Sequence, residues 1–221
     1  VGGNANAGSF LAISTFSGGI NNAGLISVQN QGIGVVYVST FSGGITNAGT
    51  ISAPAEYGIG IAVFAGEFVS TFSGNISNSG LIYAPNGIST GNVATILGAV
   101  SNSGTITAAL GIGIGSTLAG AFLTKTFSGG ITNSGTIFAF KSGILVYGVS
   151  AFAGGINNTG MISGSGNGIF VADVSTFAGG ITNSGSISAY DGIVVGCCWI
   201  GSASATIFTF GGGITNCGMI S

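Results

Sequence analysis

The side chains best suited to acid–base, nucleophilic or metal chemistry are few: the carboxylates Glu56, Glu67, Asp173 and Asp191, the amines Lys125 and Lys141, and the thiols Cys197, Cys198 and Cys217. There is no His, and both basic residues are Lys, so histidine triads, histidine-ligated zinc and arginine clamps are excluded. Glycoside hydrolysis needs two carboxylates about 5–10 Å apart. The pair to weigh is Asp173 and Asp191, 18 residues apart and flanking different corners of adjacent repeats. Binding nucleic-acid phosphates calls for several Lys or Arg, which two lysines at net charge −2 do not supply. The expectation is a non-enzymatic chain with no metal, no cofactor and no nucleic-acid partner.

The thiols give no CxxC metal pair. Neighbours on a strand point to opposite faces, so at most one of Cys197 and Cys198 looks inward. Cys217 stands in a column otherwise held by Ala, Ser or Thr. A disulfide from Cys217 to the segment carrying the other two, Cys198–Cys217, is one option and free thiols are the other.

What positions these residues is a repeat, the first thing to look for in a chain with 45 Gly among 221 residues. FSGGINNAGLIS from Phe16 recurs as FSGGITNAGTIS from Phe41, FSGNISNSGLIY from Phe72, FSGGITNSGTIF from Phe127, FAGGINNTGMIS from Phe152, FAGGITNSGSIS from Phe177 and FGGGITNCGMIS from Phe210. A degenerate copy, ILGAVSNSGTIT, starts at Ile96. One column reads Asn22, Asn47, Asn78, Asn102, Asn133, Asn158, Asn183 and Asn216, spaced by 24 to 33 residues, with a Gly two positions after each. A Gly-Ile pair such as Gly32-Ile33 or Gly143-Ile144 sits once between copies. Hydrophobic content of 46% and a mean hydropathy of +0.74 argue against disorder. Two Pro and no glycine triplet exclude collagen, and Asn, Ser, Thr and Gly interrupt every apolar stretch before it could span a membrane as a helix.

Each unit reads as three short β runs, GGITN, GTIS and GIxV, separated by Gly-, Asn- or Ser-rich corners. Three strands per turn of 24–33 residues predict an all-β parallel β-helix of about eight coils, each bonded to its neighbours at about 4.8 Å. The solenoid is one domain over 1–221, with an incomplete first coil over 1–15 and GGNANAGSF in the repeat frame. Alternation predicts Phe, Ile, Asn, Gly and Ile inward, and Thr132, Ser134, Thr136 and Phe138 outward in one copy. Stacking then yields a ladder of Phe16, Phe41, Phe72, Phe127, Phe152, Phe177 and Phe210, with Ile96 substituting once. The Asn column has two structural readings: a corner residue in left-handed conformation, shared with the Gly that follows, or an amide ladder along the axis.

Extra residues enter only between the Gly-Ile strand and the next Phe, near 62–69, 115–125 and 195–206. They are apolar, and either protrude to meet a partner or fold back over their own corner. All six charges lie around the same strand, as solvated corners would place them. No basic, apolar leader precedes Val1, as expected of a mature product or a piece of a longer chain. Neither end carries a charged cap, so the ends are expected to stack on another copy or on the rest of a longer chain.

The tandem FSGGITNSGTIF phrase with its intervening Gly-Ile strand resembles the repeat passengers of bacterial autotransporters and related large secreted β-solenoid adhesins, over nearly the whole chain from about Gly2 to Ser221. The resemblance implies a right-handed parallel β-helix exported across the outer membrane of a Gram-negative bacterium, extracellular or at the cell surface. Three functions follow as alternatives. One is a structural solenoid, acting as stalk, adhesin or self-assembling fibre whose partner is itself, a longer chain, or a host or neighbouring-cell surface. The second is an ice-binding face built on Thr50, Ser52, Thr105 and Thr107, a row interrupted by Leu25, Leu81, Met161, Met219, Tyr83 and Phe138. The third is a polysaccharide-cleaving enzyme using Asp173 and Asp191.

Overall fold

Runs of three or four β-forming residues between glycine corners are too short to make a sheet within one repeat, so each must pair with its counterpart in the next. The computed structural model describes residues 5–6, 9–10, 13–115, 124–196 and 207–221 and has this arrangement, a parallel β-helix with no α-helix among the described residues. The Asn-bearing legs form an eight-stranded sheet in sequence order, from Ile20–Asn22 to Ile214–Asn216. Ile45–Asn47 lies between Ile20–Asn22 and Ile76–Asn78, Ile over Ile and Asn over Asn. A second leg, such as Thr50–Ser52, and the Gly-Ile leg, such as Tyr57–Ile61, stack in the same parallel manner within a 19-stranded sheet. The Gly-Ile leg turns a corner and runs on as the strand that carries Phe; Asn167–Phe177 is one uninterrupted strand, whereas Gln31–Val35 and Val38–Phe41 are separate.

Alternation sets the core. In one copy Phe127, Ile131, Asn133 and Ile137 are fully buried, while Thr132, Ser134 and Phe138 are exposed. The core is therefore a column of Phe, two columns of Ile and the aliphatic side chains of the Gly-Ile leg, such as Ile59 and Ile61. Burying each such side chain contributes roughly 1.5–3 kcal/mol before chain entropy is counted.

The corners differ from the expectation in two ways. Among the described residues neither the Asn column nor the Gly that follows it has a positive φ. Glycine is required there for a different reason: a Cβ on Gly49, Gly80, Gly104, Gly135, Gly160, Gly185 or Gly218 would overlap the backbone carbonyl of the coil before it. Left-handed backbone occurs instead where the Gly-Ile leg turns toward Phe, at Tyr37 (φ 53°), Ala62 (48°), Gly115 (88°), Gly148 (66°), Asp173 (53°) and Gly196 (77°).

The N-terminal segment also departs from the repeat frame. Ala5–Asn6 and Ser9–Phe10 pair antiparallel as a separate two-stranded sheet, and the first strand of the coil stack is Ile13–Phe16. Two strands only two residues apart cannot circle the axis, and a tight reversal allows only antiparallel pairing.

Candidate functional site

The most regular polar feature is the Asn column. The side-chain amide of Asn22 donates to Oδ1 of Asn47 at 2.7 Å, Asn47 to Asn78 at 2.7 Å, Asn78 to Asn102 at 2.7 Å and Asn102 to Asn133 at 2.8 Å. The chain continues from Asn133 to Asn158 at 2.8 Å, to Asn183 at 2.7 Å and to Asn216 at 2.7 Å. Every bond points the same way along the axis. The six inner residues, Asn47 to Asn183, are at most 1% exposed. Each Nδ2 also reaches the carbonyl of the Gly two residues on, as from Asn133 to Gly135 at 3.3 Å. The Asn backbone carbonyl accepts two N–H groups from the next coil, as Asn47 does from Ser79 (2.8 Å) and Gly80 (3.1 Å). A fully satisfied amide in a dry core is mutually polarised by its neighbours and fixes register. It offers no unused donor or acceptor for catalysis within the stack.

The Phe column stacks beside it. Ring centroids of Phe16 and Phe41 are 5.0 Å apart, of Phe41 and Phe72 5.0 Å, of Phe127 and Phe152 4.8 Å, of Phe152 and Phe177 4.7 Å, and of Phe177 and Phe210 5.0 Å, with planes within 23° of parallel. Ile96 interrupts the stack in register between Phe72 and Phe127. Strand spacing, rather than ring preference, sets this geometry, since coils about 4.8 Å apart leave the rings no other separation.

The carboxylate pair is not brought together. Asp191 lies level with Asn167 in the neighbouring coil, six residues before Asp173 on the same strand. Six residues of extended chain and the turn at Asp173 lie between the two levels, and no contact joins the two side chains. Lys125, Lys141 and Asp191 are exposed, and Glu56 and Asp173 half-buried. Cys217 is a free, exposed thiol, and Cys198, the other half of the expected bridge, lies outside the described residues with Cys197.

The cluster that sequence reasoning passed over is Glu56, Tyr57, Phe64 and Glu67. Residues 62–69 fold back over their corner: Ala62 and Val63 are buried, Phe64 packs edge-on against Tyr57 at 5.5 Å and Phe68 against Tyr37 at 5.9 Å. Glu67 Oε2 accepts the Phe64 N–H at 3.0 Å, and Asn92 Nδ2 donates to the Phe64 carbonyl at 3.1 Å. Burial pushes the Glu67 carboxyl above its ordinary range and the charge of Glu56 adds to this, while N–H groups of Phe64 and Val63 pull it back. Tyr57 is raised by burial first and then by Glu56 and Glu67. The signal was available, since Glu56 and Glu67 are closer in sequence than Asp173 and Asp191. The expected apolar segments over 115–125 and 195–206 lie largely outside the described residues.

Among the described residues there is no group of three or more His, Cys, Asp or Glu able to hold a metal ion, and no helix long and apolar enough to cross a membrane. Comparison with protein-family models, with curated proteins and with solved structures gives no match.

Proposed function

We propose that this chain is a non-enzymatic structural β-solenoid that works outside the cell or at a bacterial surface, as a stalk, an adhesin segment or a fibre unit. The observation that supports this reading is the Asn ladder, seven head-to-tail amide bonds running through the whole coil stack in one direction. A buried polar column that gives every amide a partner in the next coil resists sliding and tilting of coils, as a load-bearing rod requires. The resemblance to autotransporter passengers and secreted solenoid adhesins is consistent with the same use.

The same ladder gives the rod a polarity that suits stacking on a second copy or on further coils of a longer chain. Asn216 directs its amide nitrogen to the Gly218 carbonyl and to no further Asn among the described residues, while the side-chain Oδ1 of Asn22 accepts the N–H of Gly24. One end of the stack thus ends in an amide donor and the other in an amide acceptor, so a following coil continues the ladder only head to tail. Negative-stain imaging and fibre diffraction of the purified chain test the proposal. Unbranched filaments with a layer reflection near 4.8 Å along the axis support the fibre unit, and isolated short rods support the stalk or adhesin segment. Globular particles, or turnover of a substrate by the purified chain, would overturn it.

A further inference from the structure

The outward face of the second leg carries exposed aromatic rings at a spacing that the Asn and Phe columns do not explain. Its column reads Ser27, Ser52, Tyr83, Thr107, Phe138, Ser163 and Ser188, in unbroken parallel register. Tyr83 is 51% and Phe138 43% exposed. They stand two rungs apart, about 10 Å along the axis, with the hydroxyl of Thr107 between them. At the next corner Phe140 is 70% and Tyr190 86% exposed. Phe140 sits in a β-bulge, where it and Lys141 together face Ala109 of the preceding coil. Bulges re-aim side chains and concentrate at working surfaces. Rings therefore recur from the coil of Tyr83 to that of Tyr190, a track about 19 Å long.

We propose that this face binds an extended, uncharged polysaccharide laid along the solenoid axis. A pyranose ring presents an apolar C–H face that stacks on the electron-rich face of an aromatic side chain, and hydroxyls at its edge that pair with Ser and Thr. An extended glycan advances by close to one β rung per sugar, so alternate sugars meet rings while those between meet hydroxyls. The chemistry of the face favours this occupant over a protein or a second copy of the chain. A protein interface is built round a contiguous, fully buried apolar core with a polar rim, but here Thr107 separates Tyr83 from Phe138, and in the adjoining column Thr105 and Thr136 separate Leu81 from Met161. No carboxylate or amine stands in either column, and at the adjoining corner the exposed Lys141 beside Phe140 is offset by the exposed Asp191 beside Tyr190, so the face has no net charge to select a polyanion. This inference goes beyond the mechanical role proposed above and does not depend on it.

The experiment is isothermal titration of the purified chain with hexasaccharides of β-1,4-linked glucose, mannose, xylose and N-acetylglucosamine, with hexagalacturonate as a charged probe. At least one neutral hexamer should bind. Phe138→Ala and Tyr190→Ala should each weaken that binding about tenfold and the double variant abolish it, whereas Leu25→Ala, 71% exposed but two coils beyond the Tyr83 end of the track and four from Phe138, should not change it. These side chains are exposed, so circular dichroism of the variants should match the parent. Silence with every neutral hexamer, a preference for hexagalacturonate, undiminished binding in the double variant, or self-association that disappears with Phe138→Ala would overturn the proposal.

Discussion

Two regions of each coil obey different rules. In the Asn leg every coil has the same three-residue strand in the same register, and no residue is inserted anywhere along the eight-stranded sheet. Where the Gly-Ile leg turns toward Phe, the residue type, the length and the backbone conformation all vary. The left-handed turn is Tyr37, Gly148 or Asp173 in three of the four coils without an insertion, is missing from the fourth, that of Ile88, and comes one residue earlier relative to the Gly-Ile leg, at Ala62, Gly115 or Gly196, in coils that carry an insertion. The Asn leg has no spare volume or hydrogen-bonding capacity, because its amides are satisfied and from Gly49 onward its glycines leave no room for a Cβ against the backbone of the preceding coil. The second corner faces outward, and a chain can leave and re-enter there without disturbing a ladder.

Removing a ladder rung should have the largest effect. Asn133→Ala leaves Oδ1 of Asn158 without its donor and Nδ2 of Asn102 without its nearest acceptor, both in residues at most 1% exposed. At roughly 1–3 kcal/mol for each orphaned group, a loss of about 2–4 kcal/mol is expected in guanidinium unfolding. A loss below about 0.5 kcal/mol would mean that the ladder is not what holds the coils in register.

The glycine that follows is a test within a single column. Gly135→Ala drives a Cβ into the Gly104 carbonyl, whereas a Cβ on Gly24 meets nothing within 4 Å. The first substitution should cost about 1–3 kcal/mol and the second should be near neutral, measured by the same denaturation. Equal effects would show that both positions need glycine for backbone conformation rather than for room.

That distinction marks how far the sequence could be read. The Asn, Phe and Ile columns and their inward direction were legible, because repetition at one spacing and alternation along a strand both leave their mark on residue type. Why glycine follows each Asn was not, since a left-handed turn and a close backbone contact select the same residue. The left-handed positions were hidden for the opposite reason: Tyr37 and Ala62 are not residues that advertise such a turn, although Asp173 belongs to a type that adopts it more readily. Loop closure was illegible too, because contact between Phe64 and Tyr57 depends on how residues 62–69 return to the wall. The bulge at Phe140 required counting one extra residue between two matched columns.

The corner should respond in the reverse sense to the Asn leg. Asp173 is left-handed at the position that Gly148 occupies one coil earlier. Relief of the Cβ penalty exceeds the added chain entropy of glycine by a small margin, so Asp173→Gly should stabilise by about 0.5 kcal/mol. Destabilisation would indicate that the Asp side chain makes a contact worth more than the strain.

The smallest effect concerns the loop that folds back at the same corner. The Glu67 carboxyl is raised above its ordinary value chiefly by burial, so the folded chain holds this proton more tightly than the unfolded one. Its contribution is therefore fully favourable below the ordinary carboxylate range and is lost as pH rises through the raised value. Solvent reaches the group, which keeps the change small. Hydrogen exchange at the Phe64 amide, the donor to Glu67, reports on this locally. After correction for the intrinsic pH dependence of exchange, protection should fall as pH rises from the ordinary carboxylate range, and Glu67→Gln should flatten that dependence. Protection of the Asn133 amide, deep in the unvarying leg, should show no such trend; a matching trend there would mean that the corner and the ladder open together and the contrast between them does not hold.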